Sequence, residues 1–181
     1  MVAGCYPSRT VVPPIEPATL PSLAPPLDRR AVLLLTPSFS EITPQDGVEP
    51  ITAIRYHIGP AADSAIRLWA ARSFARVDVR RLSEGDAVRQ FAAAQDGDSG
   101  DVFILPRLEG LPLHDETARD FLRLRLRVEF RALRTNSIDV FTATPVVPWA
   151  AFRSPTYRSG LVIRNIVTAM NEGFQVRRGG L

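Results

Sequence analysis

The chain of 181 residues carries 45% hydrophobic and 23% charged side chains, enough for the core of one ordinary domain with a tail to spare. All 22 basic residues behind its net charge of +3 are arginine, an unusual composition for a nucleic-acid surface, so no nucleic-acid partner is expected. A single cysteine excludes an internal disulfide, and no apolar run nears the roughly 20 residues that span a bilayer.

In chain order, Val2-Ala3-Gly4 leads directly into the sole cysteine, Cys5. Pro7, Pro13, Pro14, Pro17, Pro21, Pro25 and Pro26 follow, and each removes a backbone donor and fixes φ. That composition predicts an extended spacer over 5–28, ahead of a folded domain over 29–181.

Ala31-Val32-Leu33-Leu34-Leu35, ended by Thr36-Pro37, predicts a buried strand. Pro44, Gly47 and Pro50 mark a long loop, with at most a short strand around Ile51 to Tyr56. After Gly59-Pro60, the residues Ala62, Ala65, Ile66, Trp69, Ala70 and Phe74 recur at helical spacing. Asp63 is placed in the first turn of that helix, with Arg72 and Arg76 near its end. Val77 and Val79 then alternate with Asp78 and Arg80 as a strand, and Val88 with Phe91 to Ala94 predicts a short helix. The strand Asp101 to Leu105 is expected to stop at Pro106.

The clearest pattern runs from Phe121 to Arg134. Leu122, Leu124, Leu126, Val128, Phe130 and Ala132 alternate with Arg123, Arg125, Arg127, Glu129 and Arg131, a period of two that gives one dry face and one arginine face. Asn136-Ser137 turns the chain, and Ile138 to Val146 returns as an antiparallel partner. A last helix is expected through Val162, Ile163, Ile166, Val167, Met170 and Phe174, capped by Ser159. The fold class is therefore α+β: a single mostly antiparallel or mixed sheet of about four to five strands backed by two main helices.

The residues offer little chemistry. His57 and His114 lack partners at metal spacing, so neither a metal nor another cofactor is expected. Neither a Gly-x-Ser-x-Gly elbow nor a phosphate-binding glycine loop is present. Asp96, Asp98 and Asp101 resemble the start of a calcium loop but lack its downstream glutamate, and a surface turn explains them. The expectation is a protein that is not an enzyme. Arg123, Arg125, Arg127 and Arg131 form a candidate face for an anionic ligand or partner, or else a solvated sheet surface that resists edge aggregation. Trp149, Phe152 and Tyr157, in an arginine-bearing loop between prolines, are candidates for a membrane or subunit contact, or cover the core.

Val2-Ala3-Gly4-Cys5 resembles the lipobox of bacterial lipoproteins, in which the cysteine becomes the lipidated first residue. The charged and apolar stretch that normally precedes the box is missing, so the resemblance implies that residues 1–4 are the remnant of a signal peptide truncated in this sequence. It also implies an N-terminal lipid anchor on Cys5, and Tyr6 after it resembles the pattern of outer-membrane sorting. The order of RRAVLLLTP, IGPAADSAIRLWAARSF, ARVDVR, GDVFIL, a long hairpin and a closing helix resembles small envelope lipoproteins of the CsgG, PelC, TolB amino-terminal or LptE type. That likeness implies a non-catalytic subunit of an export or assembly machine on the periplasmic face of a Gram-negative outer membrane, with protein partners and a tendency to homo-oligomers. The alternative is a periplasmic module that binds an anionic ligand on the arginine face.

Overall fold

A computed structural model describes residues 25–40, 58–95, 98, 100–110, 121–148 and 155–181. The order is β1 (Leu27–Leu35), α1 (Pro37–Ser40), α2 (Ile58–Ser73), β2 (Phe74–Arg81), α3 (Glu84–Ala93), β3 (Val102–Gly110), β4 (Phe121–Ala132), β5 (Ser137–Ala143), β6 (Val146–Pro148) and α4 (Pro155–Arg177). The strands form one mixed sheet in the order β2-β1-β3-β4-β5, with β6 pairing the first residues of β4. β1 lies parallel to β2 and β3, whereas β4 is antiparallel to both β3 and β5. The α+β class is as expected.

The alternations decide which residues enter which core. Leu124, Leu126, Val128 and Phe130 point from β4 into the larger core, joining Ala31, Leu33 and Leu35 of β1. α2 and α4 cover that face with Ala62, Ile66, Trp69, Val162, Ile166 and Phe174, all within the spacing read from the sequence. Trp69 is at its centre, edge-on to Phe174 at 5.2 Å, Phe74 at 5.9 Å and Phe130 at 6.2 Å between ring centroids. Such pairs add stability beyond the area they bury.

A run of consecutive apolar residues such as Ala31 to Leu35 needs cover on both faces. The second cover is α3, whose Ala87 and Phe91, with Ala94, pack on Val32 and Leu34 of β1 and on Phe103 and Leu105 of β3. Among the described residues, α2 and α4, with Phe39 of α1, therefore back one face, and the parallel part of the sheet is also covered on the other by α3.

Several boundaries differ from expectation for physical reasons. β3 runs through Pro106 to Gly110. Its pairing with β1 ends at Ile104, so beyond that residue one edge is open, where a missing amide donor is tolerated. Phe74 opens β2 instead of closing α2, yet its ring enters the same aromatic cluster, so the helical spacing and the strand start agree on its side chain. Arg76 belongs to β2, and Asp63 is the sixth residue of α2, beyond its first turn. α4 begins at Pro155, a residue suited to an opening turn, so Ser159 lies inside the helix and does not cap it. α3 spans ten residues, starting from Ser83, whose hydroxyl accepts from the Asp86 amide. The hairpin turn places Asn136 at a φ of 48°, a left-handed conformation that asparagine tolerates. The expected strand near Ile51 to Tyr56 lies outside the described residues.

Candidate functional site

The arginine face is real on β4: Arg125 and Arg127 are exposed, while the alternate residues are buried. Its members have different tasks. The Arg131 guanidinium donates to the carbonyls of Phe91 at 3.3 Å and Ala92 at 2.7 Å, so it satisfies the C-terminal end of α3. Arg127 stands directly opposite Arg107 of β3, and both reach Glu129, at 3.3 Å and 3.6 Å respectively. Like charges directly opposite across strands repel, so Glu129 acts as a shared counterion. Two guanidinium forks with about half their side-chain surface in solvent, served by one carboxylate, leave donors for a further anion. Arg125 is also engaged in an interaction, and for Arg123 only the backbone, paired with Val146, is described.

A second polar group gathers at the carboxyl ends of β1 and β2. Chain connections leave these strands for opposite faces of the sheet, through α2 and α3, and such ends open a crevice. Leu35, Thr36, Pro37, Ser40, Arg81 and Leu82 line a shallow pocket there of about 260 Å³. Beside it, the side chain of Asp63 is 7% exposed and meets Arg81 Nη2 at 2.7 Å and Arg67 Nε at 2.6 Å. The contact with Arg67 is an ion pair without the geometry of a directed hydrogen bond. Ser40 Oγ donates to Asp63 at 3.3 Å, tying α1 to α2.

On the other side of the pocket, Glu84 accepts from the Ser38 amide at 3.1 Å. Burial raises the Glu84 pKa, but hydrogen bonds from Ser38 and Thr36, with the charge of Arg107, outweigh it and hold the carboxyl below its ordinary value. The site thus has hydroxyls, two arginines that share the Asp63 carboxylate, and a second carboxylate, Glu84, held by Ser38 and Thr36. Among the described residues, no group of three histidine, cysteine, aspartate or glutamate side chains is placed to hold a metal. The acidic turn is structural where it is described: Asp98 accepts from the Gln95 amide and Asp101 from the Arg30 amide, both at 2.8 Å.

Cys5, His57, His114, Trp149 and Phe152 lie outside the described residues, as does Asp96. Tyr157 falls in the opening turns of α4, and its side chain is not described. Sequence reasoning missed Arg107 and the pairing role of Asp63. The signal for Arg107 was its place after Pro106, which becomes informative only once β3 is allowed to continue on an open edge.

No protein-family model matches the chain. No curated protein is a significant match either. Among solved structures, the chain is similar to a dodecamer of a PelC point variant from Paraburkholderia phytofirmans at 14% identity and a TM-score of 0.41, covering 83% of this chain and 96% of that one. It is also similar to protein XCC0632 of the DUF330 family from Xanthomonas campestris, at 12% identity and a TM-score of 0.49, covering 95% and 94%. Hypothetical protein CT253 from Chlamydia trachomatis gives 11% identity and a TM-score of 0.46, covering 80% and 96%.

Proposed function

We propose that this protein is a lipid-anchored, non-catalytic subunit of an envelope secretion, polysaccharide-export or surface-assembly complex, held at the periplasmic face of an outer membrane. The observation that carries the reading is the sole cysteine, Cys5, directly after Val2-Ala3-Gly4 and followed by seven prolines before β1 begins at Leu27. A small-residue lead into the cysteine suits lipid attachment, and a proline-rich run keeps a domain at a distance from its anchor. The pairing of the polar side chains among themselves at the strand ends agrees with a supporting role. In this reading the protein is an oligomer, as the PelC structures are dodecamers.

Metabolic labelling with an alkyne fatty acid in a Gram-negative host tests it. The protein expressed from its own gene should take up label and fractionate with outer membranes, and Cys5→Ser should abolish both. An unlabelled protein, or label that survives Cys5→Ser, would sink the proposal.

A second reading, a binding module for an acidic polymer, is favoured by one observation: Arg107 and Arg127 share a single carboxylate. Salt-sensitive binding of polygalacturonate that Arg127→Glu abolishes would support it.

A further inference from the structure

The proline-rich spacer joins the domain at the amino end of β1, where the Arg178 guanidinium, just beyond α4, donates to the Pro25 carbonyl. Beside this junction Asp28, Arg29, Arg30, Ala75, Arg76 and Asp101 line a recess of about 220 Å³. Consecutive residues of a regular strand face opposite sides of a sheet, so Arg29 and Arg30 need a reason to share it. The register supplies one. Leu27 pairs with Phe74 but Arg30 with Arg76, so β1 holds one residue more than β2 over this stretch. Such a bulge re-aims a side chain, and here both arginines reach one recess.

Arg30 and Arg76 are partners on neighbouring strands, about 4.8 Å apart, where like charges repel. The Arg107 and Arg127 pair meets the same problem with Glu129 as a shared counterion. At this recess that solution is missing: among the described residues, Arg29, Arg30 and Arg76 make no ion pair. Asp101 gives one carboxylate oxygen to the Arg30 amide at 2.8 Å, and Asp28 is exposed. The spacer leaves the balance as it is, since residues 5–24 hold one arginine, Arg9, and one acid, Glu16. The segments 41–57, 111–120 and 149–154 leave the described fold at the opposite end of the sheet, after α1, β3 and β6. Three guanidinium groups with free donors, two of them side by side, suit the oxygens of a phosphate.

We propose that this recess binds the phosphate headgroup of an anionic phospholipid, so that the end of the domain bearing the spacer lies on the membrane that holds the anchor. The choice of a lipid headgroup rests on the lipid-anchored reading above. About 20 residues of spacer reach about 60 Å when fully extended, so an anchored domain stays close to a surface dense in phosphodiesters. At that effective concentration a weak site suffices.

The test uses the full chain with Cys5→Ser, without lipid, so it is read apart from labelling of Cys5. The protein should sediment with vesicles of phosphatidylglycerol in phosphatidylcholine, less so at high salt, and not with phosphatidylcholine alone. Arg29→Gln, Arg30→Gln and Arg76→Gln should each weaken binding roughly fivefold. Arg164→Gln, which removes the same charge from an exposed position of α4, should leave binding unchanged. Because Arg30 and Arg76 repel, Arg30→Gln and Arg76→Gln should keep or raise Tm while they weaken binding. A protein that ignores the phosphatidylglycerol vesicles would overturn the proposal, whether or not it binds inorganic phosphate or polygalacturonate. So would binding that survives all three substitutions, an equal loss in Arg164→Gln, or a fall in Tm in both Arg30→Gln and Arg76→Gln. Labelled Cys5 without vesicle binding leaves the proposed function standing and removes this site; vesicle binding with unlabelled Cys5 does the reverse.

Discussion

Two glycines of α4 make opposite predictions in one helix. A Cβ added at Gly173 would lie 2.7 Å from both Cδ2 and Cε2 of Phe141 and 2.9 Å from its Cγ. Carbon atoms pack at about 3.5–4.0 Å, so the ring or the helix must yield by roughly 0.8 Å. The ring has little room: it stacks on Phe130 at 6.0 Å, and Arg177 lies 5.5 Å from its centroid. Arg177 is itself held by Asp139, Gly173 O and Val140 O. Overpacking of this kind costs about 1–3 kcal/mol, whereas alanine for glycine inside a helix gains about 0.5–1 kcal/mol. The clash wins, and Gly173→Ala should lose about 1–2 kcal/mol, a fall in Tm of roughly 2–8 °C for a chain of this size.

Gly160, in the same helix, has nothing within 4 Å of an added Cβ. Gly160→Ala should therefore raise Tm by roughly 1–4 °C. Urea unfolding followed by far-ultraviolet circular dichroism measures both, and in a Phe141→Leu background the penalty at Gly173 should shrink. A Gly173→Ala protein as stable as the parent, or two shifts of the same sign, would refute the reasoning.

The remaining predictions rest on the polar groups. Arg67→Ala or Arg81→Ala alone should cost no more than about 1 kcal/mol, because both arginines are half exposed and either change leaves Asp63 the other arginine and Ser40. The double variant leaves a buried carboxylate with only the Ser40 hydroxyl and should cost about 3 kcal/mol, more than the sum, in a double-mutant cycle of urea unfolding; additivity would contradict the shared-ion account. Because the folded Glu84 carboxyl sits below its ordinary value, its contribution is present above the unfolded glutamate pKa and is lost as pH falls through the folded value. Glu84→Gln should accordingly flatten the fall in Tm below about pH 4.5, and an unchanged pH profile counts against it. Arg131→Met, which removes the donor to two carbonyls of α3, should cost about 1–2 kcal/mol and speed amide exchange at the end of that helix, measured by hydrogen–deuterium exchange.

Local pattern alone determined most of the fold. The period of two in Phe121 to Ala132 names the buried side of β4, and the three-and-four spacing in α2 and α4 names the residues that meet around Trp69, because alternation and helical pitch are properties of the backbone itself. Composition likewise singles out Cys5 and the prolines that follow it. Strand order and register belong to the tertiary structure, since they depend on which segments meet across long loops. Those choices carry β3 past Pro106, set Arg107 against Arg127, assign Arg131 to the end of α3 and bury Asp63 between two arginines. They also place α3 over β1 and β3, while β4 and β5 join as a hairpin without a crossover helix between them.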